Sequence, residues 1–183
     1  MAKRRGKQAT SARRKSAVGA QRVNATDGSA KDDGDSWELV HPKCVQERAD
    51  DIEDVEQMLA MGEFEIAQDE LRWLLADCSE FITAHKMLGE IAMGDEDLKL
   101  ARAHFGYAYH AGNLALEYHN IKSGLPYATA NNRDFLEAAK GLAWCLSELG
   151  KRGEAMRIAQ QIVQLDPTDP LNVQDWINAW RSD

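Results

Sequence analysis

The chain has 183 residues, of which 44% are hydrophobic, and a formal net charge of −8. This length favours one domain with a sizeable core, and no apolar run approaches the roughly 20 residues that span a bilayer. No apolar segment typical of a secretory signal follows the basic N-terminus. Three widely spaced cysteines, Cys44, Cys78 and Cys145, favour reduced thiols in an intracellular, cytoplasmic protein.

Residues 1–36 differ in charge from the rest of the chain. They hold nine Lys or Arg and four Asp, whereas residues 37–183 hold 13 basic and 26 acidic residues. Because the segment has few apolar residues, it is predicted to be a disordered basic tail. Seven of its basic residues lie near the start: Lys3, Arg4, Arg5, Lys7, Arg13, Arg14 and Lys15.

The charge of this tail is compatible with several roles. Its cations could bind nucleic-acid phosphates and release counterions, or hold the protein on another anionic surface. The Arg- and Ser-rich, acid-free run to Ala25 also fits a transit peptide. A solubilising tail that folds back on the acidic body is the remaining alternative. The tail has no aromatic residue for stacking on bases.

The folded part is predicted to cover residues 37–183 and to begin with two helical hairpins. In the first, about 43–76, apolar residues recur every three or four positions from Val45 to Leu59, as in an amphipathic helix. Gly62 ends that helix, and Ala67, Leu71 and Trp73 are predicted on the inner face of the returning one. The second hairpin covers about 80–111, with its turn at residues 93–95. Its two helices are predicted to approach closely at Gly89 and Ala101, because the side chains there are small.

The third hairpin is predicted at about 133–165, with Asn132 as the cap of its first helix and Gly150 at the end of that helix. An insert at about 113–133 precedes it, and such inserts either form a binding face or merely cover apolar surface. Asp166 and Pro167 stop the last repeat helix. A capping helix at about 170–181, started by Asp169, is predicted to bury its apolar stripe of Trp176, Ile177 and Trp180 in the core.

These hairpins resemble the tetratricopeptide repeat (TPR) family over roughly residues 43–167. The second copy has Leu88-Gly89, Ala101, Phe105 and Ala108, and Ala67 precedes Ala101 by 34 residues. The third copy matches with Leu142, Ala143, Leu146, Ala155 and Pro167. The resemblance implies an all-α, right-handed α-solenoid in which the first helix of each hairpin lines a concave groove that binds a peptide or helix of a partner protein.

The groove that the resemblance implies would consist of Ile52, Glu56, Lys86, Glu90, Met93, Lys140, Trp144 and Glu148. This mixture of acids, two lysines and an indole suggests a partner with basic and apolar side chains. Some TPR proteins hold a chaperone's C-terminal carboxylate with a clamp of Lys, Arg and Asn. Here Glu56, Met87, Glu90 and Gly141 stand where several clamp residues would fall, which argues against that role.

The sequence offers little for catalysis. Its five histidines form no HExxH motif, no Cys pair has zinc spacing, and no phosphate-binding glycine motif is present. We therefore expect neither enzyme activity nor a cofactor or metal. The hypothesis is a non-catalytic adaptor or scaffold that binds another protein in the groove. The alternatives are a nucleic-acid- or ribosome-associated factor anchored by the tail, and a subunit whose repeats associate with copies of themselves.

Overall fold

The computed structural model describes residues 17–23 and 36–182, and these are mostly helical. Two strands, β1 (Gly19–Val23) and β2 (Ser36–Val40), pair antiparallel with Gly19 opposite Val40. The described part of the chain then forms eight helices: α1 Lys43–Gln46, α2 Ala49–Ala60, α3 Phe64–Asp77, α4 Ile82–Gly94, α5 Leu98–His119, α6 Ala130–Glu148, α7 Arg152–Leu165 and α8 Val173–Ser182. None of these helices is long and apolar enough to cross a bilayer.

Part of the segment predicted to be disordered is ordered. Residues 19–23 form strand β1, and Val18 beside it is buried. The amide of Val18 donates to the Glu80 carboxylate at 3.1 Å, and the Arg22 guanidinium lies 5.1 Å from the centre of the Trp37 ring. The strand needs β2 as its partner, which local composition does not reveal. The remainder of the predicted tail, residues 1–16 and 24–35, lies outside the described residues.

A fully buried asparagine joins the strand pair to the helices. The Asn132 carbonyl oxygen accepts a hydrogen bond from the Leu39 amide at 2.9 Å, and its amide nitrogen donates to the carbonyls of Trp37 and Pro126, each at 3.0 Å. The prediction that Asn132 caps the next helix is wrong, because α6 begins two residues earlier. The side chain instead satisfies backbone groups that would otherwise be buried without partners.

From α2 onward each helix contacts the next one in the chain, and α4 also contacts α6. The predicted turns at Gly62 and Gly150 are confirmed by φ values of +79° and +74°, a region that glycine enters at little cost. The first predicted helix is interrupted between α1 and α2. Trp73, predicted on the inner face, is half exposed under the Arg48 guanidinium.

Phe105 is the packing centre of three helices. A Cβ placed on Gly89 of α4 would lie 2.7 Å from its ring, and one placed on Gly141 of α6 would lie 2.8 Å from it. These distances are too short for any other residue type without movement of the ring. The prediction that a small residue at Gly89 permits α4 and α5 to approach closely is therefore confirmed. Gly141 permits the same close approach between α5 and α6.

The segment predicted as an insert divides into helix and loop. Helix α5 continues to His119, eight residues beyond the predicted end of its hairpin, and residues 120–129 connect it to α6. In this loop, Ile121 and Leu125 are buried, and the Leu125 amide donates to the Leu165 carbonyl at 2.9 Å. These contacts favour the alternative in which the segment covers apolar surface.

The cysteines differ from the prediction of three reduced thiols. Cys44, in α1, and Cys78, after α3, form a disulfide that closes a loop of 34 positions. Cys145 is a buried free thiol, and burial raises its pKa to about 11. The partners could not be paired from the sequence because their approach depends on how α2 and α3 fold back on one another.

The chain's last helix begins later than predicted. Helix α8 starts at Val173, so Asp169 does not occupy the cap position directly before it; its carboxylate still accepts hydrogen bonds from the amides of Val173 and Gln174, the first two of the helix. Ile177 is buried, and Trp180 packs against the hydrophobic cluster formed largely by α4–α8, as predicted. Trp176 is only partly buried, and it faces a cavity rather than the core.

Candidate functional site

Two cavities are lined by helices that were predicted to form a groove, one by α2, α4 and α6 and the other by α4 and α6. The larger, called here the α2 cavity, has a volume of about 720 Å³ and is bounded by α2, strand β2 and the first turns of α4 and α6. Its walls include Ile52 and Glu56 from the predicted set, together with Glu53, Phe81 and Asp134. It therefore combines an apolar floor with three carboxylates.

The second cavity, called here the tryptophan cavity, has a volume of about 420 Å³. It lies among the C-terminal part of α4, the middle of α6 and the start of α8. Its lining consists of Glu90, Met93, Phe105, Glu137, Lys140, Gly141, Trp144, Leu171 and Trp176. Two indoles, a thioether and an aliphatic side chain thus stand beside two carboxylates and one ammonium group, an arrangement that suits an amphipathic ligand.

An ion-pair cluster joins α4 to α6 between the two cavities. The Lys86 ammonium lies 2.8 Å from the carboxylates of both Asp134 and Glu137. Burial alone would lower the pKa of Lys86, but Asp134 and Glu137 overcome this and hold the pKa above its ordinary value. With its side chain only 14% exposed, Lys86 is occupied within the protein rather than presented to a partner.

Glu90 is the least well paired carboxylate of this group. Among the described residues, its nearest cationic atom is the Lys86 nitrogen at 3.9 Å, although half of its side chain is exposed. The pKa of Glu90 is raised, mainly because the carboxyl is partly buried. The Lys86 ammonium lowers this pKa, but the negative charges of Glu137 and Asp134 raise it. Its negative charge is therefore poorly compensated where it faces the tryptophan cavity.

Lys140 connects α6 to the C-terminal helix. Its ammonium donates to the Leu171 carbonyl at 2.9 Å and lies 5.1 Å from the centre of the Trp176 ring. Such a cation–π contact contributes about 0.5–2 kcal/mol, depending on how far it is desolvated. Lys140 therefore fixes the position of Trp176 and of one wall of the cavity.

The structure groups most of the predicted groove residues, but not all. Ile52 and Glu56 line the α2 cavity, and Glu90, Met93, Lys140 and Trp144 line the tryptophan cavity. Lys86 forms the ion-pair cluster between them. Glu148 is exposed at the end of α6 and lines neither cavity. The seven basic tail residues proposed for nucleic acid, at positions 3–15, lie outside the described residues.

Sequence reasoning missed two important site residues. Glu137 lies one helical turn before Lys140 on the same face of α6, so helical spacing alone could have identified it. Trp176 offered no such signal, because its position depends on how α8 folds back on α6. The sequence assigned it to the core.

A second polar feature lies between α4 and α5. The Nδ1 atoms of His85 and His104 are 3.2 Å apart, and His85 Nε2 lies 3.3 Å from the Ser79 carbonyl. Burial and then the neighbouring His104 lower the pKa of His85 to about 4. In residues 17–23 and 36–182, no group of three or more His, Cys, Asp or Glu is arranged to hold a metal ion.

Comparisons with protein-family models, with curated proteins and with solved structures find no match to this chain.

Proposed function

We propose that this protein is a non-catalytic interaction module, an adaptor or scaffold that binds a peptide or helix of a partner protein across α2, α4 and α6. The observation that carries the proposal is the position of the two cavities. The α2 cavity is lined by all three helices and the tryptophan cavity by α4 and α6, and six of the eight residues predicted from the sequence line them. Together they offer apolar side chains beside charged ones, a combination by which peptide segments are commonly recognised.

The proposal includes a TPR-like solenoid. Support comes from contacts between consecutive helices, from the contact of α4 with α6, and from the packing of Gly89 and Gly141 around Phe105. In solenoids, each hairpin contacts its neighbours in this way and leaves one face open. The family assignment itself is a proposal.

The experiment is affinity capture with the full chain, followed by mass spectrometry. Replacing Trp144 and Ile52 together by Ala removes one apolar wall from each cavity and should abolish capture of proteins retained by the wild type. Tyr118→Ala is the matched control, since Tyr118 is 74% exposed on α5 and lines neither cavity. Circular dichroism must show unchanged helix content. Equal capture by the wild type and the double variant would reject the groove.

The second candidate function is binding of nucleic acid or another anionic surface through the N-terminal segment. The observation that favours it is the run of seven cations within positions 3–15, which contains no acid. Replacing all seven by Gln is a better test than removing residues 1–36, because strand β1 would be lost with them. Binding through this segment should weaken steeply with salt and disappear in the variant. Binding that changes with neither the salt concentration nor the seven substitutions would reject this second function.

The cytoplasmic location remains a prediction, and the Cys44–Cys78 bond counts against it. Disulfides persist mainly in oxidising compartments. Cell fractionation, combined with alkylation of free thiols before lysis, would decide the question. A cytoplasmic pool with Cys44 and Cys78 both alkylated would support the prediction, and an oxidised pool in another compartment would reject it.

A further inference from the structure

The tryptophan cavity and the ion-pair cluster beside it together hold one more carboxylate than ammonium groups. Glu90, Glu137 and Lys140 line the cavity, and Asp134 and Lys86 belong to the cluster. Asp134 and Glu137 each have the Lys86 nitrogen at 2.8 Å, and Glu137 also accepts from the Tyr127 hydroxyl. Lys140 is held by the Leu171 carbonyl. The uncompensated charge therefore resides on Glu90.

The cavity beside Glu90 already has the walls that a cationic side chain prefers. Trp144 and Trp176 both line it, and the protein's own Lys140 shows that an ammonium group is accommodated against the Trp176 ring. Aromatic faces attract cations through their quadrupole, and they also cover the methylene stem of a Lys or Arg. A carboxylate next to two indoles thus matches both the head and the stem of such a residue.

Glu90 also borders an apolar cavity of about 330 Å³ on its other side. This cavity is lined in part by Leu59, Phe64, Met87 and Ile91. Since Glu90 lines both cavities, a ligand that reaches Glu90 with a cation can place an adjacent apolar side chain in the second cavity. This arrangement restricts the sequence of the ligand.

We propose that the tryptophan cavity is the specificity pocket of the interaction module and takes a Lys or Arg side chain of a partner peptide, which carries a neighbouring bulky apolar residue. The proposal rests on the proposed function, since it names the chemistry of the partner in the same groove. The cation forms an ion pair with Glu90 and lies against Trp144, while the apolar residue fills the cavity at Met87 and Ile91.

The test is selection from a phage-displayed library of random 12-residue peptides on the immobilised full chain. Peptides enriched on the wild type should share a Lys or Arg next to an apolar residue. The same selection on Glu90→Lys should lose that consensus. Glu65→Lys is the matched control, because Glu65 is an exposed carboxylate on α3 that lines none of the three cavities.

An enriched peptide is then synthesised with its basic residue as arginine or as citrulline, which has nearly the same shape but no charge. Citrulline should weaken binding about tenfold on the wild type, the effect of roughly one charge-assisted contact, and less than threefold on Glu90→Gln. Enriched peptides without a basic residue, whose binding still requires Trp144, would overturn this inference and leave the proposed function intact. Failure of the wild type to enrich any consensus would count against both.

Discussion

The first helical pair and the C-terminal helices are stabilised in different ways. Helix α2 buries Val55 alone, whereas α6 buries nine residues between helices on both sides. The first pair is instead joined by the Cys44–Cys78 disulfide and by Arg48, which lies over Trp73 and forms ion pairs with Asp51 and Asp77. A helical pair with few buried residues is thus held together by a covalent bond and by partly exposed ion pairs, whereas α6 is held mainly by its buried side chains.

Helix α4 separates these two regions. Ile82 and Ala92 belong to the large C-terminal cluster, while Ala84, Met87 and Leu88 belong to the cluster under α2 and α3. Among the described residues, the cluster under α2 and α3 has ten buried members, whereas the C-terminal cluster has 27. We therefore expect α2 and α3 to open at lower free energy than α5–α8, which would make the wall of the α2 cavity adjustable.

The largest loss of stability should come from Phe105→Ala, which tests the packing of α5 between α4 and α6. Phe105 is 2% exposed and contacts α4 and α6 at Gly89 and Gly141. Its loss should lower the free energy of unfolding by about 3–5 kcal/mol, as measured by chemical denaturation. Phe64→Ala is the matched control and should cost less than about 1 kcal/mol, since Phe64 is 54% exposed. Similar losses of unfolding free energy in Phe105→Ala and Phe64→Ala would contradict the difference between the two regions.

Reduction of the Cys44–Cys78 disulfide should destabilise α2 and α3 alone. Opening a loop of 34 positions removes about 2–4 kcal/mol, and hydrogen exchange should accelerate in α2 and α3 while α6 and α7 stay protected. Under denaturing but non-reducing conditions, iodoacetamide should modify only Cys145; after reduction it should modify all three cysteines. Three modifications without reductant would show that the bond is absent.

Acidification tests the contact between α4 and α5. The folded-state pKa of His85 is lowered from 6.5 to about 4, so the unfolded chain binds the proton first. The free energy of unfolding should therefore fall as the pH drops from about 6.5 towards 4, and the loss should reach about 2 kcal/mol at pH 5. His85→Gln should flatten this part of the stability profile, whereas His110→Gln, at an exposed position, should leave it unchanged.

Lys86→Met tests the ion-pair cluster between the cavities. Removing the ammonium leaves Asp134 and Glu137 facing each other without a cation, which should cost about 1–3 kcal/mol because the cluster is partly buried. Adding Asp134→Asn and Glu137→Gln should recover most of the loss. Thermal unfolding measures both steps; an unchanged melting temperature in Lys86→Met would contradict the structural role of this lysine.

The smallest effect is expected for Glu90→Gln. The pKa of Glu90 is raised, so its ionised form is disfavoured in the folded state. Glu90→Gln should therefore increase stability slightly at pH 7, by less than about 1 kcal/mol for this half-exposed group. The gain should disappear below about pH 4.5. A loss of stability at pH 7 would show that the Glu90 charge is well compensated.

The sequence predicted what local periodicity determines. Helix turns at Gly62 and Gly150 and the small residue at Gly89 were identified, and spacing within α6 placed Lys140 and Trp144 on one face. What it missed depends on contacts between distant positions. These contacts are the pairing of β1 with β2, the Asn132 hydrogen bonds, the disulfide, and the approach of Trp176 to the cavity.

Lys86 and Glu148, both in the predicted groove, also show that local spacing does not reveal contacts between distant positions. Both occupy the face of their helices that the repeat spacing selects, yet Lys86 is neutralised by α6 and Glu148 lies beyond the cavities. Helical spacing identifies which residues share a face. It does not reveal which charges on that face are already paired by a neighbouring helix.

Binding of a partner across α2, α4 and α6 is tested most directly by photo-crosslinking from the groove in living cells. Benzoylphenylalanine is introduced at Glu56, at Met93 or, as the outer-surface control, at Tyr118. If the partner binds in the groove, Glu56 and Met93 should crosslink to the same protein, at sites close together in its sequence, and Tyr118 should not. Crosslinking of that partner from Tyr118 alone would place the binding surface on α5 and reject binding in the groove.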